Sequence, residues 1–449
     1  MALTGLEIYK LLPKTNCKDC GFPTCLAFAM KLAAKQAELA ACPHVSEEAK
    51  AALESAAAPP IRLITIGDEE HKVEVGNETE LFRHNKSFFH MPGLVVRVKD
   101  SQPMAEVEDL VSQVDGYSVD YVGMVLNLDG IAVESTSGDP ETFSKYVKAV
   151  RAKTERPLIL MADEPEVMKA GLVEVNDTTP LICTASPDNW QTMADLAKEY
   201  KAPLAVHAEG LEPLVNLVKE VKDAGVEDIV LDPGTRDFHD SLAVATQIRR
   251  LALEAKPDRL LGYPTIVFPG EATGSLAEES VLAGQHIAKY AGFVVLDHFE
   301  PAIAYALLAL RQNIYTDPRQ PVQVTPGIYD INEPGPEDQL MITTNFSITY
   351  FSVANEVEGT GMPAWLLVAD AEGLSVLTGW AAGKFDADKI ATTVKGTGIA
   401  DKISHKKLII PGAVSVLSGE LEDELPGWEI LVGPREAVDI PTYMKLWEK

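Results

Sequence analysis

Four of the chain's five cysteines fall in one short stretch, Cys17-Lys-Asp-Cys20-Gly-Phe-Pro-Thr-Cys25 followed by Cys42-Pro43. Thiolates gathered this densely hold metal: four of them can bind a [4Fe–4S] cube or a tetrahedral zinc ion. Zinc ribbons usually supply two close C-x2-C pairs. Here only one pair is close, and the last cysteine stands apart before a proline, which favours the cube with Cys17, Cys20, Cys25 and Cys42 as its ligands. Zinc is the first alternative, and a disulfide framework, disfavoured inside a cell, is the second. Gly21 and Pro23 suit a loop that wraps a cluster, although the same residues serve an ordinary turn.

The elements around these cysteines are constrained by distance. Leu26, Met30, Ala33, Ala37 and Ala40 recur at helical spacing, so a helix is expected to follow Cys25. Unbroken to Cys42, it would separate the two thiols by roughly 25 Å at 1.5 Å per residue. A cluster is far smaller, so the helix is expected to bend back near Lys35 and Gln36.

Downstream, short runs rich in Val, Ile and Leu alternate with amphipathic segments. Strands are expected at 93–98, 123–128, 157–162, 180–185, 203–208, 228–232, 263–268 and 293–298, with helices such as 211–224, 238–256 and 301–316. Eight such units predict a (β/α)8 TIM barrel, with a doubly wound open sheet as the alternative. Ahead of it, 61–67 and 71–76 read as a hairpin under the barrel. Asp163-Glu164, His207-Ala-Glu209, Asp232-Pro-Gly-Thr235 and Asp297-His298 follow strands, where they either face a functional mouth or cap the next helices. Cys183, inside a strand, reads as a buried core thiol. Residues 317–338 read as a linker. A small α/β sheet is expected beyond it, with strands at 346–353, 365–369, 407–410 and 428–432 and a helix over 381–395. Gly-rich turns at the strand ends mark the place where such sheets bind ligands, or are plain turns. No G-x-G-x-x-G or P-loop is present, which argues against a dinucleotide or nucleoside triphosphate.

The chain has 449 residues, 46% of them hydrophobic, enough for two or three domains with real cores. Its formal charge of −28 argues against nucleic acid and anionic membranes as partners. No apolar run reaches the ~20 residues of a membrane span. The N-terminal residues lack the charged and apolar regions of a signal peptide, so a cytoplasmic location, in an anaerobic cell if the cluster edge is exposed, is expected.

Taken together, the segment C-x2-C-G-x-P-x-C…C-P, the barrel, and the runs Thr-Thr-Asn-Phe (343–346), Gly-Leu-Ser-Val-Leu-Thr (373–378), Ile-Ile-Pro-Gly-Ala-Val (409–414) and Val-Gly-Pro-Arg-Glu-Ala (432–437) resemble one family closely. It is the large (gamma) subunit of the corrinoid iron–sulfur protein. Segments 3–10 and 78–84 are similar too, and the resemblance covers essentially the whole chain. It implies a [4Fe–4S] domain over 1–58, a TIM barrel over 59–320 and a Rossmann-like corrinoid-binding domain over 321–449. It implies a methyltransferase-type carrier, whose cobamide cobalt takes a methyl group from methyl-tetrahydrofolate or a related pterin through a separate methyltransferase. The methyl goes to CO dehydrogenase/acetyl-CoA synthase, and the cluster reduces Co(II) back to Co(I). A homologous small subunit is the implied partner, docked on the barrel. The barrel resembles pterin-binding methyltransferase barrels, with Asp232-Pro-Gly as the local echo, without pterin binding being expected here. By motif position, Thr343, Thr349, Gly373, Leu374, Ser375, Val376, Leu377, Thr378, Gly412, Ala413, Val414, Ser415, Gly433, Pro434 and Arg435 would contact the corrinoid, Thr378 nearest its lower face. The D-x-H-x-x-G motif that supplies a histidine to cobalt is absent, and His405 is the last domain's only histidine, so no protein ligand to cobalt is expected. The alternatives are an electron-transfer subunit without corrinoid, or a pterin-dependent methyltransferase using the barrel.

Overall fold

The computed structural model describes residues 5–33, 36–46, 49–50, 53, 59–85, 88, 90–175, 177–254, 258–316 and 321–447. The chain divides into two compact units, Met1–Tyr117 with Asn127–Tyr315, and Ser118–Leu126 with Thr316–Lys449.

In the first unit, strands Gly93–Lys99, Gly130–Glu134, Leu158–Met161, Leu181–Ala185, Leu204–His207, Ile229–Asp232, Thr265–Val267 and Ala291–Leu296 pair in that order as a closed barrel. The last strand closes on the first through parallel pairs from Phe293–Gly93 to Leu296–Val96, so the sheet is a (β/α)8 barrel and not an open one. The runs of branched aliphatics become strands here because both faces are covered, by helices outside and by packed side chains within. The interior is filled by Val95, Ala132, Ile159, Leu181, Cys183, Ala205, Val230, Ile266 and Phe293. Burial pushes the Cys183 thiol up to about 12.

The expected hairpin forms, Ile64–Gly67 against Lys72–Val75, antiparallel. Its Ile64, Ile66, Val73 and Val75 join the same core as the barrel interior. Val73 lies against Gly93, Val75 against Gly292, and Gly67 bridges Thr179, all where strands begin. The hairpin therefore plugs the N-terminal end of the barrel, each buried side chain contributing roughly 2 kcal/mol, and leaves the C-terminal mouth clear.

One barrel strand differs from expectation. Segment 123–128 is not in the barrel; the second barrel strand is Gly130–Glu134. Ser118–Tyr121 and Met124–Asn127 instead form a separate two-stranded hairpin. Its turn residues Val122 and Gly123 are both left-handed, at φ 55° and 78°, the geometry of a type I′ turn. Most of this hairpin belongs to the second unit, where the Gly123 backbone approaches the Phe351 ring so closely that a Cβ would stand 2.6 Å from its Cζ.

The second unit holds a five-stranded sheet in the order Gly327–Ile331, Ala364–Ala369, Gln339–Thr344, Lys407–Ile410, Glu429–Val432. The first strand is antiparallel to its neighbour and the other four run parallel. The segment read as linker thus contains an edge strand. The strand expected at 346–353 is the helix Ser347–Gly359, and the true strand ends just before it at Thr344. The helix expected over 381–395 is two, Val376–Ala381 and Ala387–Thr397, so the Gly373–Trp380 loop is helical from Val376 on. The chain leaves Gln339–Thr344 to one side and later returns to its other side. The strand order reverses there, and the carboxyl ends of Gln339–Thr344 and Lys407–Ile410 flank the crevice where open α/β sheets take ligands.

Candidate functional site

The cysteine segment is built from two helices and a left-handed loop. Ile8 from the first, Gly5–Leu11, Leu12 just beyond it, and Cys25, Phe28 and Ala29 from Cys25–Ala33, share a small core with Cys42, and Cys20 and Phe22 pack against it. The helix is described as far as Ala33, the Gln36 amide donates to the Lys31 carbonyl at 2.8 Å, and a 3-10 turn, Leu39–Ala41, delivers Cys42; of the two residues expected at the bend, Lys35 lies outside the described residues. Between the helices, Lys14, Asn16, Lys18 and Gly21 all have positive φ. Three non-glycine residues in that region are costly and persist only where the surroundings demand them. The loop is pinned by Asn16, whose Oδ1 accepts from the Cys25 amide at 2.8 Å, and by the Gly21 amide donating to the Lys18 carbonyl at 2.9 Å.

Among the described residues, Cys17, Asp19 and His44 bring possible ligand atoms within 4.8 Å of one another. Asp19 and His44 are hydrogen-bonded at 2.6 Å, and that bond holds the Asp19 carboxyl below its usual range.

At the barrel mouth the polar residues pair with one another. Arg97, its side chain 2% exposed, meets Glu134 at 3.4 Å, Glu271 at 2.8 Å and Asp297 at 2.5 Å. Arg236 forks onto both oxygens of Asp232 and reaches Glu271. His207 Nδ1 lies 3.0 Å from Asp232, and Glu279 accepts from the Asp297 amide and pairs with His298. Burial opposes the charge on Asp232, but the His207 and Arg236 hydrogen bonds outweigh it and bring the carboxyl down to about 2. Of the strand-end residues singled out in the sequence, His207, Asp232, Asp297 and His298 join this network. Glu164 occupies the N-cap position of Pro165–Val173 without a side-chain cap bond.

The sheet edge of the second unit is different: its polar groups are not all used. Thr343 and Thr344, at the end of the central strand, and Ser347, at the start of the helix after it, are buried, and among the described residues their hydroxyls have no hydrogen-bond partner. Leaving a buried hydroxyl unpaired costs about 1–3 kcal/mol. Asn345 between them is fully employed. Its Oδ1 accepts from the amides of Ala371 and Gly373, and its Nδ2 donates to Gln323 and Asp370. This ties the Gly373–Thr378 stretch to the central strand, with Ser375 bonded to Thr378 at 3.0 Å. Thr349 is half-buried in the first turn of Ser347–Gly359. On the other side of the crevice, the Gly412 amide donates to the Pro434 carbonyl, and the Gly433 amide to Ile410. A Cβ at Gly412 would stand 2.8 Å from the Pro434 carbonyl carbon, so the two turns lie edge to edge. Ala413 and Pro434 are half-buried and Ser415 and Arg435 exposed, whereas Val414 points into the core. Ile348, Leu377, Trp380 and Val416, on the loops and helices that follow these strands, and Val432, at the end of its strand, are exposed. Asn345, Thr344 and Ser347 were missed in the sequence; Asn345 lies inside the quoted Thr-Thr-Asn-Phe run, but nothing there distinguishes a loop-pinning amide from a turn residue.

A family model described as "CO dehydrogenase/acetyl-CoA synthase delta subunit" matches residues 63–444, and one described as "Putative Fe-S cluster" matches residues 12–44. The chain is 45% identical to the corrinoid/iron-sulfur protein large subunit of Moorella thermoacetica, over 99% of both chains. This chain belongs to the corrinoid/iron–sulfur protein large-subunit family.

Acetyl-CoA decarbonylase/synthase complex gamma subunits are similar as well: that of Archaeoglobus fulgidus is 38% identical over 98% of this chain and 97% of its own, and that of Methanopyrus kandleri 36% over 99% and 97%. Bacterial and archaeal members of the large-subunit family therefore align from end to end with this one. The delta-subunit model reaches only the barrel and the sheet; the cysteine segment falls to the second model, and the two meet between residues 44 and 63. No helix among the described residues is long and apolar enough to cross a membrane.

Proposed function

We propose that this large-subunit family member is the methyl carrier of an acetyl-CoA synthase/decarbonylase system, with a corrinoid at the sheet edge of its second unit and a [4Fe–4S] cluster on Cys17, Cys20, Cys25 and Cys42. The observation that carries the reading is the set of hydroxyls at the switch point, Thr343, Thr344 and Ser347, that are buried without a partner among the described residues. A stable fold tolerates such groups where a ligand completes them.

When bound, the cobamide supplies a cobalt(I) nucleophile that takes and hands on a methyl group, and the cluster supplies the electron that restores cobalt after oxidation. The chain's own residues hold and orient these groups. The backbone of Gly373–Thr378, fixed by Asn345, and the paired turns at Gly412–Ser415 and Gly433–Arg435 present amides to the ring's side chains. Thr349 lies within reach of the same edge, and Leu377 and Trp380 keep water from it. Thr378 stands at the start of a helix on this edge, a small neutral side chain suited to face the cobalt. His405 is kept away from cobalt by its position before strand Lys407–Ile410, at the opposite end of the sheet.

The partners in this reading are a homologous small subunit, a methyl-tetrahydropterin methyltransferase and CO dehydrogenase/acetyl-CoA synthase. Anaerobic purification with the small subunit tests it: a corrin absorption band with about one cobalt per chain pair is expected. Iron and sulfide without cobalt would instead mark a plain electron-transfer subunit. Turnover of methyl-tetrahydrofolate by this chain alone would mark a barrel methyltransferase, a reading disfavoured by a mouth whose charges are already paired.

A further inference from the structure

Asn345 sits among hydroxyls that lack partners and has no bond of its own to spare. It is 1% exposed, and its side chain makes four hydrogen bonds, the full capacity of an amide. Oδ1 accepts from the Ala371 amide at 2.9 Å and from the Gly373 amide at 3.0 Å. Nδ2 donates to Gln323 Oε1 at 2.9 Å and to Asp370 Oδ1 at 3.3 Å. The same Asp370 oxygen accepts from the Glu372 amide at 3.0 Å. The successive amides of residues 371–373 are thus taken by two side chains that also bond each other.

That turn has to be held. Glu372 and Gly373 are both left-handed, at φ 56° and 73°. Glycine adopts this region freely, but a glutamate does so only where its surroundings impose it. Asn345 and Asp370 supply the imposition from within, and Lys384 Nζ grips the Glu372 carboxylate at 2.6 Å from outside. Gln323 serves twice: it accepts from Asn345, and its side chain lies against Gly373, where a Cβ would stand 2.7 Å from the Gln323 Cγ. Past the turn the chain has little freedom. The Leu374 amide donates to Ala371 at 3.1 Å, the Gly379 amide to Ser375 at 2.7 Å, and Ser375 Oγ to Thr378 Oγ1 at 3.0 Å. The place of Thr378 is therefore set from Asn345, through the 371–373 turn.

We propose that Asn345 is a positioning residue of the cobalt site, with Gln323 keeping its amide in register. It holds the 373–378 stretch back, so that no oxygen of Ser375 or Thr378 closes on the metal from below. The proposal rests on the corrinoid reading above. Released from Asn345, the stretch has the slack to bring an oxygen lone pair toward the lower face. An added oxygen donor favours Co(II) over Co(I), so the Co(II)/Co(I) potential falls.

Three variants test this. Asn345→Ala removes all four bonds. Gln323→Ala removes one, from an exposed side chain, and keeps the test alive if Asn345→Ala does not fold. Gln323→Glu keeps an acceptor for Nδ2 and serves as the conservative rescue. Hydrogen exchange of the cofactor-free full chain reads the turn directly. The amides of Ala371 and Gly373 are expected to exchange roughly tenfold faster or more in Asn345→Ala, less so in Gln323→Ala, and as in the parent in Gln323→Glu. Uptake of aquacobalamin, followed by absorbance, weakens in the same order. In the loaded proteins the Co(II)/Co(I) potential, measured by spectroelectrochemistry, moves negative in that order too. A lowered unfolding midpoint with an unmoved potential would make Asn345 merely structural and overturn the proposal, as would unchanged exchange in both alanine variants. Parent protein that takes up no aquacobalamin sinks the corrinoid reading and this proposal with it. Normal uptake by the parent, with variants that match it in exchange and potential, sinks the positioning role alone.

Discussion

His405 bonds through Nε2 to the carbonyl oxygen of Asp338 at 2.8 Å, one residue before strand Gln339–Thr344 begins, while Thr344 closes that strand at its far end. The second unit's single histidine is therefore fastened a strand's length from the edge where a corrinoid would lie. His405→Gln is expected to leave the corrin spectrum and the Co(II)/Co(I) potential unchanged. Co(II) electron paramagnetic resonance should show no nitrogen splitting from protein in either form; splitting that vanishes in the variant would place His405 on cobalt after all.

The unpaired hydroxyls make an opposite pair of predictions for stability and binding. Thr343→Val and Thr344→Val remove a buried group that is unsatisfied without ligand. The ligand-free protein should gain about 1 kcal/mol per change, read as a higher denaturant midpoint of the second unit. Corrinoid uptake should weaken in the same variants. A loss of stability without ligand would mean that these hydroxyls already have partners.

Cys20→Ser separates the two centres. Methyl transfer from protein reduced beforehand to Co(I) should remain near the parent rate, and reactivation of Co(II) should be lost. A Cys20 variant unable to move a methyl group even when pre-reduced would remove the cluster from its repair role.

At the barrel mouth the His207–Asp232 hydrogen bond raises the His207 pKa above its ordinary 6.5. Its stabilisation is fully present below 6.5 and is lost as pH rises through the raised value. The stability gap between the parent and His207→Gln should therefore be constant in mild acid and shrink above neutrality, followed by thermal unfolding. A gap that widens with pH would show that His207 is neutral in the fold.

The barrel was legible because seven of its strands are short runs rich in Val, Ile and Leu, as a doubly covered sheet requires. The eighth was misplaced by an unusual turn. Val122 is left-handed despite its branched side chain, so Ser118–Asn127 carries no Asn-Gly or Asp-Gly signal, and its second arm passes for a core strand. Residues 346–353 failed for the opposite reason. Ile348, Thr349, Tyr350, Phe351 and Val353 favour strands locally, yet the buried positions Ser347, Ala354 and Val357 lie on one face at helical spacing, and packing overrides propensity. The four cysteines were legible as a set because their chemistry is local. The sheet-edge site was not, beyond its motifs, because its signature is an absence of partners for Thr343, Thr344 and Ser347, which only the folded chain reveals.

The most direct test of the account is metal analysis of the anaerobically purified protein for iron, cobalt and zinc, alongside its visible spectrum. About four iron and one cobalt per chain, with a corrin band over a broad iron–sulfur shoulder, is the predicted result. Stoichiometric zinc with neither iron nor cobalt would contradict it.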